Sequence, residues 1–328
     1  MKAKILLSFV AVGVLLIILF LFAAGTGSLH ISLARLMRGL FIEYDEVVAI
    51  IYDLRFPRIL VALLGGGAMA VSGVLMQAVM KNPLADPTII GVSGGASFTA
   101  VLIAAYFPAA YFLTPICAFF GGVVAFGLVY SLSWQSGLSP LRIILVGVAV
   151  SAVFSGLAQG FNAMTGSTYA GAAAIVNANI SLKTWNDVHT LFGYVLFGLL
   201  AAVFTADQCN LLQLEDKTAR SLGLHVNAVR LVVSLIAVLL ASISTAVIGV
   251  VAFLGLVVPH IARLLVGSNH RVLIPFAILL GAFTLLFADT LGRTIAAPYE
   301  VSASILMSVI GGPFFIILLR RSGKVYGR

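Results

Sequence analysis

Residues 231–267 read LVVSLIAVLLASISTAVIGVVAFLGLVVPHIARLLVG, and no Asp, Glu, Lys or Arg interrupts them between Arg230 and Arg263. A helix rises about 1.5 Å per residue, so roughly 20 apolar residues cross the hydrocarbon of a bilayer. The stretch is too long for one crossing and long enough for two. It is read as a pair of spans near 229–249 and 251–267 with a tight return between them.

The same reading extends in both directions. Apolar runs place spans near 4–24, 57–80, 89–107, 110–133, 141–164 and 189–207 before this pair, and near 272–291 and 302–320 after it, ten in all. Composition agrees, because 61% hydrophobic residues, 9% charged residues and a mean hydropathy of +1.15 cannot be wrapped around a soluble core. Spans and short loops use up the 328 residues, so the expected fold is all-α and polytopic, one transmembrane domain over 1–328. Met1 to Lys4 followed by the apolar run to Ala24 has the outline of a signal peptide, but the run is longer than a signal core and further spans follow. It is read as an uncleaved first span. Glycines at 65, 66, 67 and 73, and at 91, 94 and 95, suit close helix crossings, since small residues let backbones approach in lipid.

Charge sets the expected orientation. With the N-terminus in the cytoplasm and ten alternating spans, one side collects 13 of the 19 Lys and Arg residues and the other side 6. Positive residues favour the cytoplasmic side, so both termini are placed there.

Several function classes find no support in the residues. Ion-coupled carriers keep carboxylates or histidines within the membrane for coupling, whereas these spans hold Asp289 and His260 only near their ends. Asp289 is read as a structural anchor and His260 as a helix-end residue. No GxxxxGK[ST] loop is present to cradle a nucleotide, and no nucleophile elbow, HExxH helix or working pair of carboxylates appears. Cys117 and Cys209 show no metal or redox spacing. No catalytic residue, metal site or nucleic-acid partner is expected.

The connection from Gln208 to Arg230 stands apart. Glu215 and Asp216 open a short helix that Arg220 closes before Gly223, placing acid at its N-terminus and base at its C-terminus; a second short helix should come after it. Two readings fit this connection, an interfacial helix lying on lipid and a helical knob offered to a cytoplasmic partner.

Taken together, stretches along the chain resemble one family, the permeases of type II ABC importers that take up iron siderophores, haem and cobalamin. They are Leu54-Arg55-Phe56-Pro57-Arg58, Asn82-Pro83-Leu84-Ala85-Asp86-Pro87, Gly91-Val92-Ser93-Gly94-Gly95-Ala96 and Ala219-Arg220-Ser221-Leu222-Gly223. Further on come residues 255–263, GLVVPHIAR, then Ala288-Asp289-Thr290 and Gly311-Gly312-Pro313-Phe314-Phe315. They keep the family's order from 54 to 315.

The resemblance implies a non-catalytic subunit in a bacterial or archaeal cytoplasmic (inner) membrane. Its implied partners are a second copy of itself, two cytoplasmic ABC ATPases that bind ATP and Mg2+, and an external substrate-binding protein; no cofactor belongs to this chain. Residues Glu215, Asp216, Thr218, Ala219, Arg220, Leu222, Gly223 and Val226 then match the family's ATPase-coupling helices. Arg55, Arg58 and Arg293 match positions that dock the binding protein, and a fork-shaped guanidinium suits a partner's carboxylates; lipid-headgroup anchoring or pairing within the chain to Asp53 or Glu300 is the alternative. Asn82, Leu84, Ser139, Pro140 and Leu141 match the cytoplasmic gate. The implied cargo is a metal chelate, iron siderophore or haem. Cobalamin or an oxyanion is the alternative, and an ion-coupled secondary carrier is the competing class. One stretch departs from the family: where members carry Trp followed by Gly-Ser between spans five and six, this chain reads GAAAIVNANI at 171–180. That segment would lie where substrate arrives, so the resemblance does not carry substrate identity with it.

Overall fold

A computed structural model describes residues 2–26, 31–133, 140–165, 168–297 and 299–326, and within its helices the side chains at 33, 140, 141, 319 and 321–326 lie outside the description. Every regular element among the described residues is helical. In chain order these are α1 (Lys2–Gly25), α2 (Leu33–Phe41), α3 (Glu46–Met80), α4 (Val92–Tyr106), a 3-10 turn (Pro108–Leu113), α5 (Thr114–Ser133), α6 (Pro140–Met164) and α7 (Ala170–Val176). After these come α8 (Trp185–Phe204), α9 (Ala206–Leu212), α10 (Asp216–Ser221), α11 (Val226–Ile248), α12 (Leu254–Val266), α13 (His270–Ile295) and α14 (Ala303–Tyr326).

Each of the ten expected spans corresponds to a helix. Seven helical stretches among the described residues are long and apolar enough to cross a membrane. Two of the shorter ones, α4 and α12, start from irregular segments: 81–91 between α3 and α4, and 249–253 between α11 and α12. The first turns back into the bundle, so that Asp86, Pro87 and Thr88 are buried. Non-helical backbone at such depth is tolerated when protein surrounds it.

Helix α3 departs most from its expected bounds, starting at Glu46 rather than near 57. The Asp45 side chain explains this, because it accepts hydrogen bonds from the backbone N–H groups of Val47 at 3.0 Å and Val48 at 3.4 Å. A capped N-terminus with Glu46 in its first turn suits the helix dipole. Pro57 inside the helix removes one backbone donor without ending it.

α3 is the axis of the bundle, packed by α13, α11, α8 and α12. From Ile59 to Val79 nearly every residue is buried, as expected of a helix that is apolar all round. Glycines bring the backbones together: a Cβ on Gly66 would collide with the carbonyl of Gly281, and one on Gly73 with the carbonyl of Gly255. Hydroxyls add short links between helices, Ser72 Oγ donating to the Ala237 carbonyl at 2.6 Å and Ser244 Oγ to that of Gly65 at 3.3 Å. By contrast α1 exposes Leu6, Leu7, Val10, Val14, Ile17, Ile18 and Phe22, the surface a lipid-facing helix needs.

Candidate functional site

Helices α9 and α10 and the N-terminus of α11 stand at one end of the bundle, with the end of α3 beside them. α10 is a single six-residue helix, with Asp216 in its first turn and Arg220 in its last. Gly223, at φ +85°, terminates it: Gly223 N–H donates to the Arg220 carbonyl at 2.9 Å and Leu224 N–H to the Ala219 carbonyl at 3.1 Å. This left-handed step is one that glycine makes without steric cost. The expected second short helix is absent from this connection, and the chain enters α11 directly at Val226. Two apolar residues, Val226 and Val229, begin a long buried stripe there, which carries the helix on.

The knob presents two faces. Lys217, Thr218, Arg220, Ser221 and Leu222 are exposed, Leu222 at 60%. Ala219 and Val226, expected among the partner-facing residues, are buried and pin the knob to the bundle. Both are small or apolar side chains with hydrophobic surface to lose. Asp216 is the second anchor. Its Oδ1 receives Lys81 Nζ at 2.8 Å, and Arg230 donates to both oxygens, Nη2 to Oδ1 at 2.9 Å and Nη1 to Oδ2 at 3.1 Å. The hydrogen bond from Lys81 holds the Asp216 carboxyl below the ordinary carboxylate range against the effect of burial, and Arg230 adds to it.

Lys81 lies at the C-terminus of α3 in the left-handed region, φ 48°, and the NPLADP stretch begins at the next residue. Asn82 Oδ1 accepts Leu84 N–H at 2.9 Å, and Asp86 Oδ1 accepts the N–H groups of Thr88 at 2.7 Å and Ile89 at 3.3 Å. These side-chain turns brace the segment internally. Met80, Asn82, Ala85 and Ile90 meet Ile143 and Ile144 of α6 around a cavity of about 10 Å³. Of the five expected gate residues, Asn82 and Leu84 are half-buried in this segment. Pro140 and Leu141 open α6, and Ser139 lies outside the described residues.

The opposite end holds the arginines expected to face a binding protein, and the structure turns them inward. Arg58 is buried in α3 and pairs with Asp289 of α13, Nε to Oδ1 and Oδ2 at 3.1 and 3.0 Å and Nη2 to Oδ1 at 2.8 Å. Its Nη1 reaches Glu300 at 2.9 and 3.2 Å. Arg293 stands 3.4 Å from Asp289, and its Nη2 donates to the Ala23 carbonyl at 3.4 Å. Arg55 Nη1 donates to the Ala24 carbonyl at 2.9 Å. The physical reason is Asp289: a carboxylate in a dry interior needs fork-shaped donors, and Arg58 and Arg293 are within its reach. Glu300, outside the helices, is pushed up by burial, but Ser181 and Arg58 outweigh that and hold it below its usual value. The cluster joins α1, α3, α13 and the connection to α14. Asp289 is thus an anchor, as its place near a span end suggested.

The sequence offered pairing of Arg58 with Glu300 as the alternative to docking, and the structure has that pair; it did not single out Lys81 or Arg230 as partners of Asp216. Lys81 and Asp216 are 135 residues apart, and nothing local marks them as partners. Among the described residues, no group of three or more His, Cys, Asp or Glu side chains is placed to hold a metal ion.

Comparison with known proteins supplies the wider frame. Residues 15–321 match the FecCD transport family. A Staphylococcus aureus (strain MSSA476) protein named "Probable heme-iron transport system permease protein IsdF" is 38% identical over 323 residues, 98% of each chain. Its counterpart in strain Newman has the same identity and coverage. A solved structure described as a metal-chelate type ABC transporter in an inward-facing conformation superposes with a TM-score of 0.79 at 28% identity, covering 96% of this chain and 99% of that one. PsaBC from Streptococcus pneumoniae, solved with a Fab, shares the fold at a TM-score of 0.57 and 16% identity over 87% of this chain and 95% of that one.

Proposed function

The chain belongs to the FecCD transport family, and on that premise we propose that it is the membrane-spanning permease subunit of an ATP-binding-cassette importer for haem iron or another iron chelate. Full-length similarity to a protein named for haem-iron transport supports the cargo, and likeness to a metal-chelate type ABC transporter supports the assembly. In that assembly two copies of the chain meet a pair of cytoplasmic ATPases, which bind ATP and Mg2+, and an external binding protein. The excess of Lys and Arg on the α10 side supports placing this end in the cytoplasm, with both termini.

The observation that carries the reading is the shape of the knob. A six-residue helix offers Lys217, Thr218, Arg220 and Leu222 outward while Asp216, Ala219 and Val226 fix it to the bundle. An interfacial lipid helix would need a longer apolar face than the exposed Leu214 and Leu222 that flank α10. A knob held this firmly transmits a push. Closure of the ATPase pair displaces α10, and rigid helices behind it reorient so that the path opens on alternate sides. Asn82, Leu84, Ser139, Pro140 and Leu141 form the cytoplasmic constriction of that path. At the external end Arg55, Arg58 and Arg293 act from beneath the surface, and a docking carboxylate would compete with half-exposed Glu300 for Arg58.

The test replaces both outward contacts, Arg220→Glu with Leu222→Glu, in the complex reconstituted in liposomes. The proposal expects loss of ATPase binding and of ATP-driven uptake from a permease that still folds. Retention of both in the double variant contradicts it.

A further inference from the structure

We propose that Lys81, Asp216 and Arg230 form a junction that delivers displacement of α10 to the 82–90 segment and the early turns of α6, with Lys81 and Asp216 as positioning residues for transport. The inference rests on reading α10 as the ATPase contact.

The knob could in principle act through α11 alone, since the chain runs from Leu222 into Val226. The side chains add a second route. Lys81 Nζ reaches both the Leu214 carbonyl, at 2.5 Å, and Asp216 Oδ1, at 2.8 Å, so one ammonium grips the knob's N-terminus at two points. Arg230, one turn into α11, holds the same carboxylate by both oxygens. Asp216 thus links the knob, the end of α3 and the start of α11 through ion pairs.

Beyond Lys81 there is little slack. Asn82 N–H donates back to the Gln77 carbonyl at 3.2 Å, and the turns of Asn82 and Asp86 brace the residues from 83 to 89. The far end of the segment is seated on α6. Ser151 Oγ donates to the Thr88 carbonyl at 3.0 Å, and a Cβ on Gly147 would stand 2.5 Å from the Ile89 carbonyl. Knob, Lys81, braced segment and α6 thus form a chain of close contacts. α6 is also the helix that Pro140 and Leu141 open, so the chain ends at the proposed constriction. An ion pair that is about one-third exposed contributes little to folding, which makes its role in relaying motion separable from stability.

The experiment uses the full complex in liposomes and reads bound ATPase, ATP hydrolysis and uptake per ATP for Lys81→Met, Asp216→Asn, the two together, and Lys81→Arg. The junction predicts that Lys81→Met keeps its ATPase subunits and hydrolyses ATP while uptake per ATP falls at least about fivefold. Asp216→Asn should do the same, the double variant should fall no further than the worse single one, and Lys81→Arg should recover at least half of the coupling. Unchanged uptake per ATP in both single variants would overturn the junction. So would losses that multiply in the double variant, or uptake that falls only in step with lost ATPase. Should the junction fail, Arg220→Glu with Leu222→Glu still abolishes ATPase binding; if that pair of changes leaves binding intact, the reading of α10 itself has failed.

Discussion

Arg58 donates to two carboxylates from a position where only 8% of its side chain is exposed, and its partner Asp289 is 2% exposed. In water such pairs are worth little. Here the alternative to pairing is a carboxylate stranded in a dry interior, and removing one partner of a buried pair typically costs about 3–5 kcal/mol. Arg58→Ala should therefore lower the thermal stability of the purified protein by an amount of that order, read from the unfolding midpoint in detergent, and Arg58→Lys should lose less. An effect below about 0.5 kcal/mol, the size of an ordinary surface change, would mean that Asp289 finds another donor and that the cluster is not the anchor described. The sequence carried only half of this information. It showed arginines close to a span end, but the direction a side chain points depends on helices far away in the chain, here on α13 and the connection after it.

Elements were more legible than contacts. Runs of apolar residues mark helices in lipid because every backbone donor must be satisfied within the segment, so the ten runs each became a helix. The start of α3 was missed because its extra turns, from Glu46 to Phe56, mix Asp53 and Arg55 with apolar residues, and because a proline inside a helix reads as a boundary. The segment at 82–90 was legible as a break, since Pro83 and Pro87 interrupt helix, yet its burial depends on Gly255 and Gly147 leaving room for it. Close crossings of this kind are where helix pairs are most sensitive. A methyl added at Gly66 meets the Gly281 carbonyl and must separate α3 from α13, so Gly66→Ala should destabilise by about 1–3 kcal/mol, measured by denaturant titration in mixed micelles. Gly127, which has open space around it, serves as the matched control, and equal effects at the two positions would remove the case for a tight α3–α13 crossing.

At the scale of the whole molecule the two ends of the bundle are built for different work. One end is locked: Arg58, Arg293, Asp289 and Glu300 tie α1, α3, α13 and the last connection into a single block. The other end carries a small knob joined to the bundle by Asp216, Ala219 and Val226, with a braced segment leading from it to α6. An energy source outside the chain, applied at the knob and converted into reorientation of stiff helices, is the account that unites these features with membership of a transport family. Its most direct test is uptake of haem into proteoliposomes that contain this chain with or without its ATPase subunits, with haem-loaded binding protein outside and ATP enclosed. The account predicts accumulation that requires both the ATPase subunits and ATP and is indifferent to proton or sodium gradients. Accumulation by the chain alone, driven by an ion gradient, would contradict it.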